Sequence, residues 1–450
     1  MATLRVFVVL VLFILNIHHS HSEKSTCPSE NEQPMFIFGD SLYDSGNNNY
    51  IPTSPIFQGN FPPYGETFFN YPTGRLSDGR LITDFIADYA ELSHISRLFL
   101  DPRRLNSYTN GVNFASAGAG ALPETNPGLV IDMRTQGLYF TRVSRQLRQQ
   151  LGELKARRLL STAVYLFSIG SNDYASPFYT NPMNVTVPYP PRNFVDFVIG
   201  NITTVIKVIN LRTQGLYFTR VSKQLRQQFG EHKAKRLLST AVYLFSIASN
   251  DYASPFIKNP MNVTLPYSPE KFVDFVIGNI TTVIKGIYNE GGRKFAFLNV
   301  APLSCAPLLR TFVNGTTVEA CLQAQPSALA RLHNIVLSRS FQNLEKQLSG
   351  FKYSIFNFYD AILELVKYPS KYGFREGSVA CCGGGPYRGD YSCGGKRGIE
   401  EFELCSDPGE NVFFDSLHPS EKAAEHFAQL MWNGNRDVIE SYNLKQLFNF

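Results

Sequence analysis

The chain contains one long segment twice, and any fold it adopts must accommodate both copies. Residues 131–208 and 209–286 align without gaps, and 64 of the 78 aligned positions are identical. Solenoid repeats are usually 20–50 residues long and stack as arrays of several units, whereas here two long copies are embedded in unrelated sequence. We interpret them as a tandem duplication, or as an error in the assembled coding sequence, and not as a repeat architecture.

Each copy predicts the order helix, strand, turn, helix. The strand is a continuous apolar run, Ala163–Ile169 in the first copy and Ala241–Ile247 in the second, which is typical of a strand buried on both faces. Similar runs begin at Met35, Gly111, Lys294 and Lys352, with long helical patterns between several of them. Strands that alternate with helices predict an α/β fold with a mostly parallel sheet covered on both faces. The second copy must then add a strand or dock outside the sheet.

An Arg- and Lys-rich stretch, residues 141–158, also has a helical apolar pattern. Val143, Leu147, Leu151 and Leu154 recur at helical spacing, so we expect them to point inward while the Arg and Lys side chains face water. An acidic partner or a membrane surface is the alternative explanation for this charge. The net charge of the whole chain is a modest +5, and we expect no nucleic-acid partner.

The N-terminus predicts export. Arg5 precedes an apolar run from Val6 to Ile17, and polar residues with small Ser20 and Ser22 follow. This is the layout of a signal peptide, here residues 1–22, and a run of twelve residues is too short to span a bilayer, which takes about 20. Residues 23–450 would then form one secreted domain without stable membrane insertion.

The cysteines fit an oxidising compartment. Cys305 and Cys321 form one local set, and a second set lies between residues 381 and 405. We predict three disulfides from these six cysteines, with the pairing left open, and Cys27 left over. The second set consists of Cys381, Cys382, Cys393 and Cys405. Because the CxxC pairs of zinc sites are absent, no metal is expected.

Five Asn-x-Ser/Thr sequons occur in the chain. Asn184, Asn262 and Asn314 lie in stretches broken by Pro or Gly, so we predict glycans there. Asn201 and Asn279 instead fall within the apolar stripe of a predicted helix. We expect those two to carry no sugar.

The first apolar run ends in "FGDSLYDSGNNN", residues 38–49. In parallel sheets, active sites lie beyond the carboxyl ends of the strands. Ser41 follows this strand directly, beside Gly39, and is therefore placed where a nucleophilic serine would be presented. The alternative is a helix cap, since Asp and Ser before a helix accept backbone N–H groups.

A serine nucleophile needs a histidine base oriented by a carboxylate. The histidines beyond residue 22 are His94, His232, His333, His418 and His426. His418 follows Asp415 by three residues in a predicted turn, which allows the carboxylate to reach the imidazole Nδ1. We therefore predict a triad of Ser41, His418 and Asp415, and a structural role for His426 in the helix that follows.

Acyl transfer also needs donors for the oxyanion. Gly118 offers a backbone N–H after "VNFASA", and Asn172 offers a side-chain amide after the first-copy strand. The second copy offers Asn250, but there Ala248 replaces Gly170, and its methyl group restricts the backbone and its approach. We therefore favour Asn172 over Asn250. The alternative interpretation is that the glycine and the asparagine are ordinary turn residues.

Four blocks together resemble the plant GDSL esterase/lipase family, within the SGNH hydrolases. They are Gly39–Leu42, "NFASAGAG", Gly170–Asp173, and Asp415 with His418. The resemblance implies a three-layer αβα, flavodoxin-like fold. It also implies that Ser41 attacks an acyl or acetyl ester, that His418 transfers the proton, and that Asp415 holds the imidazole. The oxyanion would be bound by the N–H groups of Ser41 and Gly118 and by the Asn172 amide.

The expected substrate is therefore a small-molecule or lipid ester, and no cofactor is expected. One alternative is a catalytically weak accessory or binding protein associated with another secreted enzyme, because some members of the resembled family have that role and the second copy departs from the family pattern. A glycosidase with two carboxylates is the other alternative, but no acidic pair stands out.

Overall fold

A computed structural model describes residues 33–92, 98–102, 108–120, 123–169, 172, 239, 241–246, 268–289, 291–313 and 316–450. Several predictions from the sequence therefore lie outside the described residues. These are the segment 1–22, Cys27, the sequons at Asn184, Asn201, Asn262 and Asn314, and the second-copy amide Asn250.

Within the described part of the chain, seven strands form the central sheet, in the order β2-β1-β3-β4-β5-β6-β9. All neighbouring pairs are parallel except β6 with β9. The predicted mostly parallel α/β architecture is confirmed. The strands are β1 Met35–Gly39, β2 Gly111–Asn113, β3 Val164–Ser168, β4 Val242–Ser246, β5 Lys294–Leu298, β6 Lys352–Phe356, and β9 Ile439–Ser441, with a separate two-stranded sheet of β7 Cys382–Gly383 and β8 Glu403–Leu404.

The two copies of the duplicated strand, β3 and β4, lie side by side in the sheet. They pair in register, Tyr165 with Tyr243 and Phe167 with Phe245. Strand β3 pairs on its other side with β1, and β4 pairs with β5. The second copy therefore adds an interior strand, and neither β3 nor β4 is an exposed sheet edge prone to aggregation.

Alternation along the strands separates two cores, one on each face of the sheet. On one face the rings of Phe38, Phe167, Phe245 and Phe297 stack with centroids 5.1, 5.6 and 4.9 Å apart. The opposite face carries aliphatic side chains such as Leu166 and Leu244. Because β3 and β4 have the same sequence, the aromatic ladder continues through the duplication, and each such ring pair contributes about 0.5–1.5 kcal/mol beyond burial.

Helices cover both faces of the sheet. Helices α2, α3, α4 and α7 contribute buried residues to the aromatic face, and α1, α8, α9 and α10 to the aliphatic face. No helix among the described residues is long and apolar enough to cross a bilayer. The helices are α1 Ile82–Tyr89, α2 Met133–Leu151, α3 Glu153–Thr162, α4 Pro269–Asn289, α5 Pro307–Arg310, α6 Val318–Gln323, α7 Gln325–Gln347, α8 Phe358–Lys367, α9 Glu421–Asn433 and α10 Leu444–Asn449.

The basic helix ends earlier than its apolar pattern predicts. Val143 and Leu147 are buried in α2 as expected, but Leu154 is 60% exposed, so the inward placement of Leu154 was wrong. The reason is Gly152, whose φ of +78° ends α2 and starts α3. The new helix turns Ala156 inward instead.

Three disulfides form, as predicted, and the structure resolves their pairing. The pairs are Cys305 with Cys321, Cys381 with Cys405, and Cys382 with Cys393. The last two begin at adjacent cysteines and tie together the segment 381–405, which includes β7 and β8. Two covalent bonds therefore restrict the conformation of this segment.

Candidate active site

The predicted site residues follow three neighbouring strands. Ser41 lies two residues beyond β1, Gly118 lies five beyond β2, and Asn172 lies four beyond β3. In the sheet order β2-β1-β3, strand β1, which precedes Ser41, lies between β2 and β3. Because all three strands are parallel, their carboxyl ends meet at one edge of the sheet. The three residues therefore belong to one region.

A hydrogen-bonded line joins Ser41, His418 and Asp415. The distance from His418 Nε2 to Ser41 Oγ is 3.2 Å. On the other side of the ring, Nδ1 lies 2.9 Å from Asp415 Oδ1 and 3.0 Å from Oδ2. A base must lie within about 2.6–3.2 Å of the proton donor it serves, so this arrangement permits transfer of the serine proton to the imidazole.

The turn that carries Asp415 and His418 is fixed locally. Asp415 Oδ1 accepts the backbone N–H groups of Leu417, at 2.9 Å, and of His418, at 2.8 Å. This is the Asx-type turn that aspartate favours. Ser420 then caps α9, where its side chain accepts the N–H of Ala423. The three-residue spacing read from the sequence is therefore sufficient to bring the carboxylate to the imidazole.

The Ser41 loop is anchored to the end of β3. Gly39 has a φ of +148°, and a Cβ there would lie 2.3 Å from the carbonyl oxygen of Ser168. Only glycine fits this close approach. Beyond it, the Asp40 N–H donates to Ser168 O at 2.8 Å, and the Ser168 hydroxyl donates to Asp40 Oδ1 at 2.9 Å. These contacts fix the residue that precedes the nucleophile.

Asp40 is a fully buried carboxyl group next to Ser41. Burial raises its pKa to about 7, although hydrogen bonds from Ser168 and the Leu42 N–H and the charge of His418 act in the opposite direction. No role of Asp40 was predicted from the sequence. The sequence shows that Asp40 belongs to the block Gly39–Leu42, but it does not show that the carboxyl group is buried.

The residues after Ser41 hold the Gly118 loop. Asn47 Nδ2 donates to the carbonyl of Ala115 at 2.8 Å, and Asn48 Nδ2 donates to that of Ala117 at 2.9 Å. Asp44 Oδ2 accepts the N–H of Ala117 at 2.8 Å. The roles of these three side chains were not predicted from the sequence. An Asp and three consecutive Asn after a strand are nevertheless typical of hydrogen bonds that anchor a loop.

Gly118 and Asn172 follow β2 and β3, the strands on either side of β1. Gly118 has a φ of +79°, and a Cβ there would lie 2.3 Å from the ring of Phe57. The Asn172 amide donates to Ala119 O at 2.9 Å, which joins β3 to the Gly118 loop. No described residue accepts a hydrogen bond from the backbone N–H of Ser41 or of Gly118, so both can donate to a ligand.

Asp415 has two neighbours that the sequence analysis missed. Tyr64 Oη donates to Asp415 Oδ2 at 2.8 Å, and Arg397 Nη1 donates to Tyr64 Oη at 2.7 Å. Burial would raise the pKa of Asp415, but the charge and hydrogen bond of His418 and the charge of Arg397 lower it to about 2. Tyr64 is 351 positions from Asp415 and 333 positions from Arg397. No short-range sequence pattern could therefore predict these contacts.

Of the other histidines, His94 and His232 lie outside the described residues. His426 packs between the rings of Tyr372 and Phe427. His333 is buried within α7, and burial lowers its pKa to about 3. Across the described part of the chain, no group of three or more His, Cys, Asp or Glu could hold a metal ion.

The sequence model of the GDSL-like lipase/acylhydrolase family matches residues 35–211 and 192–431, and each match contains one of the two copies. A GDSL lipase of Tanacetum cinerariifolium is 40% identical over 420 residues, which cover 93% of this chain and 89% of the relative. GDSL esterase/lipase 5 of Arabidopsis thaliana is 38% identical over 98% of this chain and 94% of its own length.

A further relative, inactive GDSL esterase/lipase-like protein 25 of Arabidopsis thaliana, is 30% identical over 97% of this chain and 78% of its own length. The family resemblance read from the four motif blocks is therefore confirmed over nearly the whole sequence. The chain belongs to the GDSL-like lipase/acylhydrolase family.

Proposed function

We propose that this chain is a secreted serine esterase or lipase that hydrolyses acyl or acetyl esters. The observation that carries the proposal is the continuous hydrogen-bonded line from Ser41 through His418 to Asp415. Family membership supports the reaction class, carboxylic ester hydrolysis. The low pKa of Asp415, about 2, supports its role because the carboxylate stays ionised at all pH values at which such an enzyme works.

In this mechanism Ser41 Oγ attacks the ester carbonyl while His418 Nε2 takes its proton. The ionised Asp415 stabilises the imidazolium, which then protonates the departing alcohol as the acyl–oxygen bond breaks. Water attacks the acyl-serine, again with His418 as base, and the carboxylic acid leaves. No step requires a cofactor or a metal ion.

The developing oxyanion would be bound by the N–H groups of Ser41 and Gly118 and by the Asn172 amide. Support comes from the two backbone N–H groups, which donate to no described residue, and from the position of Asn172 beside Ala119. Loss of one such donor typically raises the barrier by roughly 2.7–4 kcal/mol.

Secretion is part of the proposal, with residues 1–22 as the signal peptide and glycans at Asn184, Asn262 and Asn314. The three disulfides support it, since such bonds persist in oxidising compartments. The test is expression of the whole chain in plant cells, followed by N-terminal sequencing and glycosidase treatment of the medium. Retention of protein inside the cells with an intact N-terminus would reject this part.

The test of the activity is Ser41→Ala, assayed with a short-chain p-nitrophenyl ester. We expect loss of turnover and of labelling by a covalent serine-hydrolase probe. Ser370→Ala, which removes an exposed hydroxyl from the 3₁₀ helix Pro369–Tyr372, serves as the matched control. Unchanged turnover in Ser41→Ala would reject the mechanism. If the folded wild-type protein is not labelled, the result favours an accessory or binding protein, as the name of the inactive relative illustrates.

A further inference from the structure

A tyrosine and an arginine continue the catalytic line beyond Asp415. Tyr64 is 1% exposed, and its hydroxyl donates to Asp415 Oδ2 at 2.8 Å. Arg397 Nη1 in turn donates to the Tyr64 oxygen at 2.7 Å. The line of hydrogen bonds from Ser41 therefore passes through five residues and ends on a cation.

The guanidinium group of Arg397 is held in place from several directions. It donates to the backbone carbonyls of Gln58, at 2.8 Å, and of Cys393, at 3.2 Å. It also lies over the rings of Tyr391, 4.2 Å from the centroid, and of Tyr64, at 5.0 Å. Cys393 is itself bonded to Cys382. The cation is thus preorganised by a loop fixed with disulfides.

The hydroxyl of Tyr64 is oriented by its two partners. Because Arg397 has only donors, the phenol must accept from the guanidinium and give its own proton to Asp415. Burial and the charge of Asp415 raise the pKa of Tyr64 well above its ordinary value, so the phenol remains a donor. A nearby cation polarises the O–H bond and strengthens the hydrogen bond to the carboxylate.

We infer that Tyr64 and Arg397 are positioning residues for ester hydrolysis, which orient the Asp415 carboxylate and compensate its buried charge. The inference rests on the proposed function. Both Asp415 oxygens are used: Oδ1 accepts the Leu417 and His418 N–H groups, and Oδ2 accepts from Tyr64. With both oxygens held, the carboxylate cannot rotate away from the imidazole Nδ1.

A packing role alone would not need these polar groups. The Tyr64 ring already contacts Phe61 and Phe414, with centroids 5.5 and 5.3 Å away, and phenylalanine would fill the same space. Burying a hydroxyl group costs free energy unless it is hydrogen-bonded. The Tyr64 hydroxyl donates to Asp415, and the charge of Arg397 lowers the pKa of Asp415. We therefore assign the function of both groups to the triad.

The deciding variant is Tyr64→Phe, which removes one oxygen and keeps the ring. We expect kcat for a p-nitrophenyl ester to fall roughly tenfold, the effect of losing one hydrogen bond to a charged group, with KM unchanged. Tyr165→Phe is the control, because it also removes one buried tyrosine hydroxyl, which donates to Leu160 O at 2.7 Å and not to Asp415. That variant should retain the wild-type kcat and KM.

The pH profile separates positioning from packing. The charged groups that face the His418–Asp415 pair are Arg397, through Tyr64, and Asp40. Removing a cation or a donor to the carboxylate favours proton binding by the pair. In Tyr64→Phe and Arg397→Gln we therefore expect the acidic limb of the kcat/KM profile to move to higher pH, with partial recovery in Arg397→Lys.

A full wild-type kcat in Tyr64→Phe, or a lower kcat with an unmoved acidic limb, would overturn the inference. Circular dichroism and the melting temperature check that each variant is folded, and Tyr64→Phe alone decides if Arg397→Gln does not fold. Ser41→Ala keeps the two proposals distinguishable. If Ser41→Ala is inactive while Tyr64→Phe is fully active, the esterase mechanism stands and only the positioning role is lost.

Discussion

The hydroxyl of Ser168 donates to the carboxylate of Asp40 at 2.9 Å and joins the end of β3 to the nucleophile loop. Its counterpart in the second copy, Ser246, lies in register between Ser168 of β3 and Leu298 of β5. It lies one strand further from β1, a distance of about 4.8 Å in the sheet. Two strands of the same sequence therefore hold different positions, and only the first adjoins the predicted nucleophile.

This difference predicts that the two asparagines are not equivalent. Asn172→Ala should lower kcat by roughly 10²–10³-fold, as expected for loss of an oxyanion donor. Asn250→Ala should leave kcat nearly unchanged, because the strand that precedes it is separated from β1 by β3. The measurement is steady-state hydrolysis of a p-nitrophenyl ester by both variants. The reverse order of the two effects would assign the oxyanion position to the second copy.

The duplication predicts that one strand is dispensable. Deleting residues 173–250 removes β4 and joins Asn172 to Asp251. Because β3 has the same sequence as β4, it can present the same side chains to β5 that Tyr243 and Phe245 now present. We expect a cooperatively folded protein whose Ser41 still reacts with a serine-hydrolase probe. Loss of cooperative thermal unfolding would show that the extra strand is required.

A second deletion isolates the glycine. Removing residues 170–247 joins Ile169 to Ala248. The product has the sequence of the first deletion except for alanine in place of Gly170. We expect a lower kcat in this alanine form, because a side chain restricts the backbone before the oxyanion asparagine. Equal kcat values in the two deletion proteins would contradict that explanation.

Asp40 predicts a pH dependence of stability. Its pKa is about 7 in the folded protein against 3.8 as the ordinary value, so the folded state binds the proton more tightly. Between about pH 4 and pH 7, stability from this group therefore falls as pH rises. In Asp40→Asn this loss is absent. We expect the melting temperature of the wild type, relative to the variant, to fall between about pH 4 and pH 7, and a constant difference would refute the assignment.

Gly118 predicts a steric limit at the proposed oxyanion site. In Gly118→Ala the new Cβ meets the Phe57 ring, and the φ of +79° is unfavourable for alanine by roughly 1–2 kcal/mol. We expect at least a tenfold loss of kcat. Phe57→Ala in the same protein removes the clash but not the backbone strain, so it should restore kcat only in part. Full recovery in the double variant would show that the ring contact alone is responsible.

The features that the sequence predicts correctly depend on residues close together in the chain. Asp415 and His418 are three residues apart, and the Asx turn that joins them needs no distant contact. The apolar run 163–169 predicted β3 to within one residue at each end. By contrast, the inward position of Leu154 was predicted wrongly, since the break at Gly152 changes the phase of the helix.

By itself, the amino-acid sequence determined the six parallel strands, the serine beside its tight turn, and the histidine with its carboxylate, because each depends on a few neighbouring residues. Tertiary structure decided the pairing of the six described cysteines, the hydrogen bonds from Arg397 to Tyr64 and from Tyr64 to Asp415, and which of the two copied strands adjoins β1. Identical segments have identical local preferences, so only the order of strands, set by long-range pairing and by the burial of both faces, distinguishes one from the other.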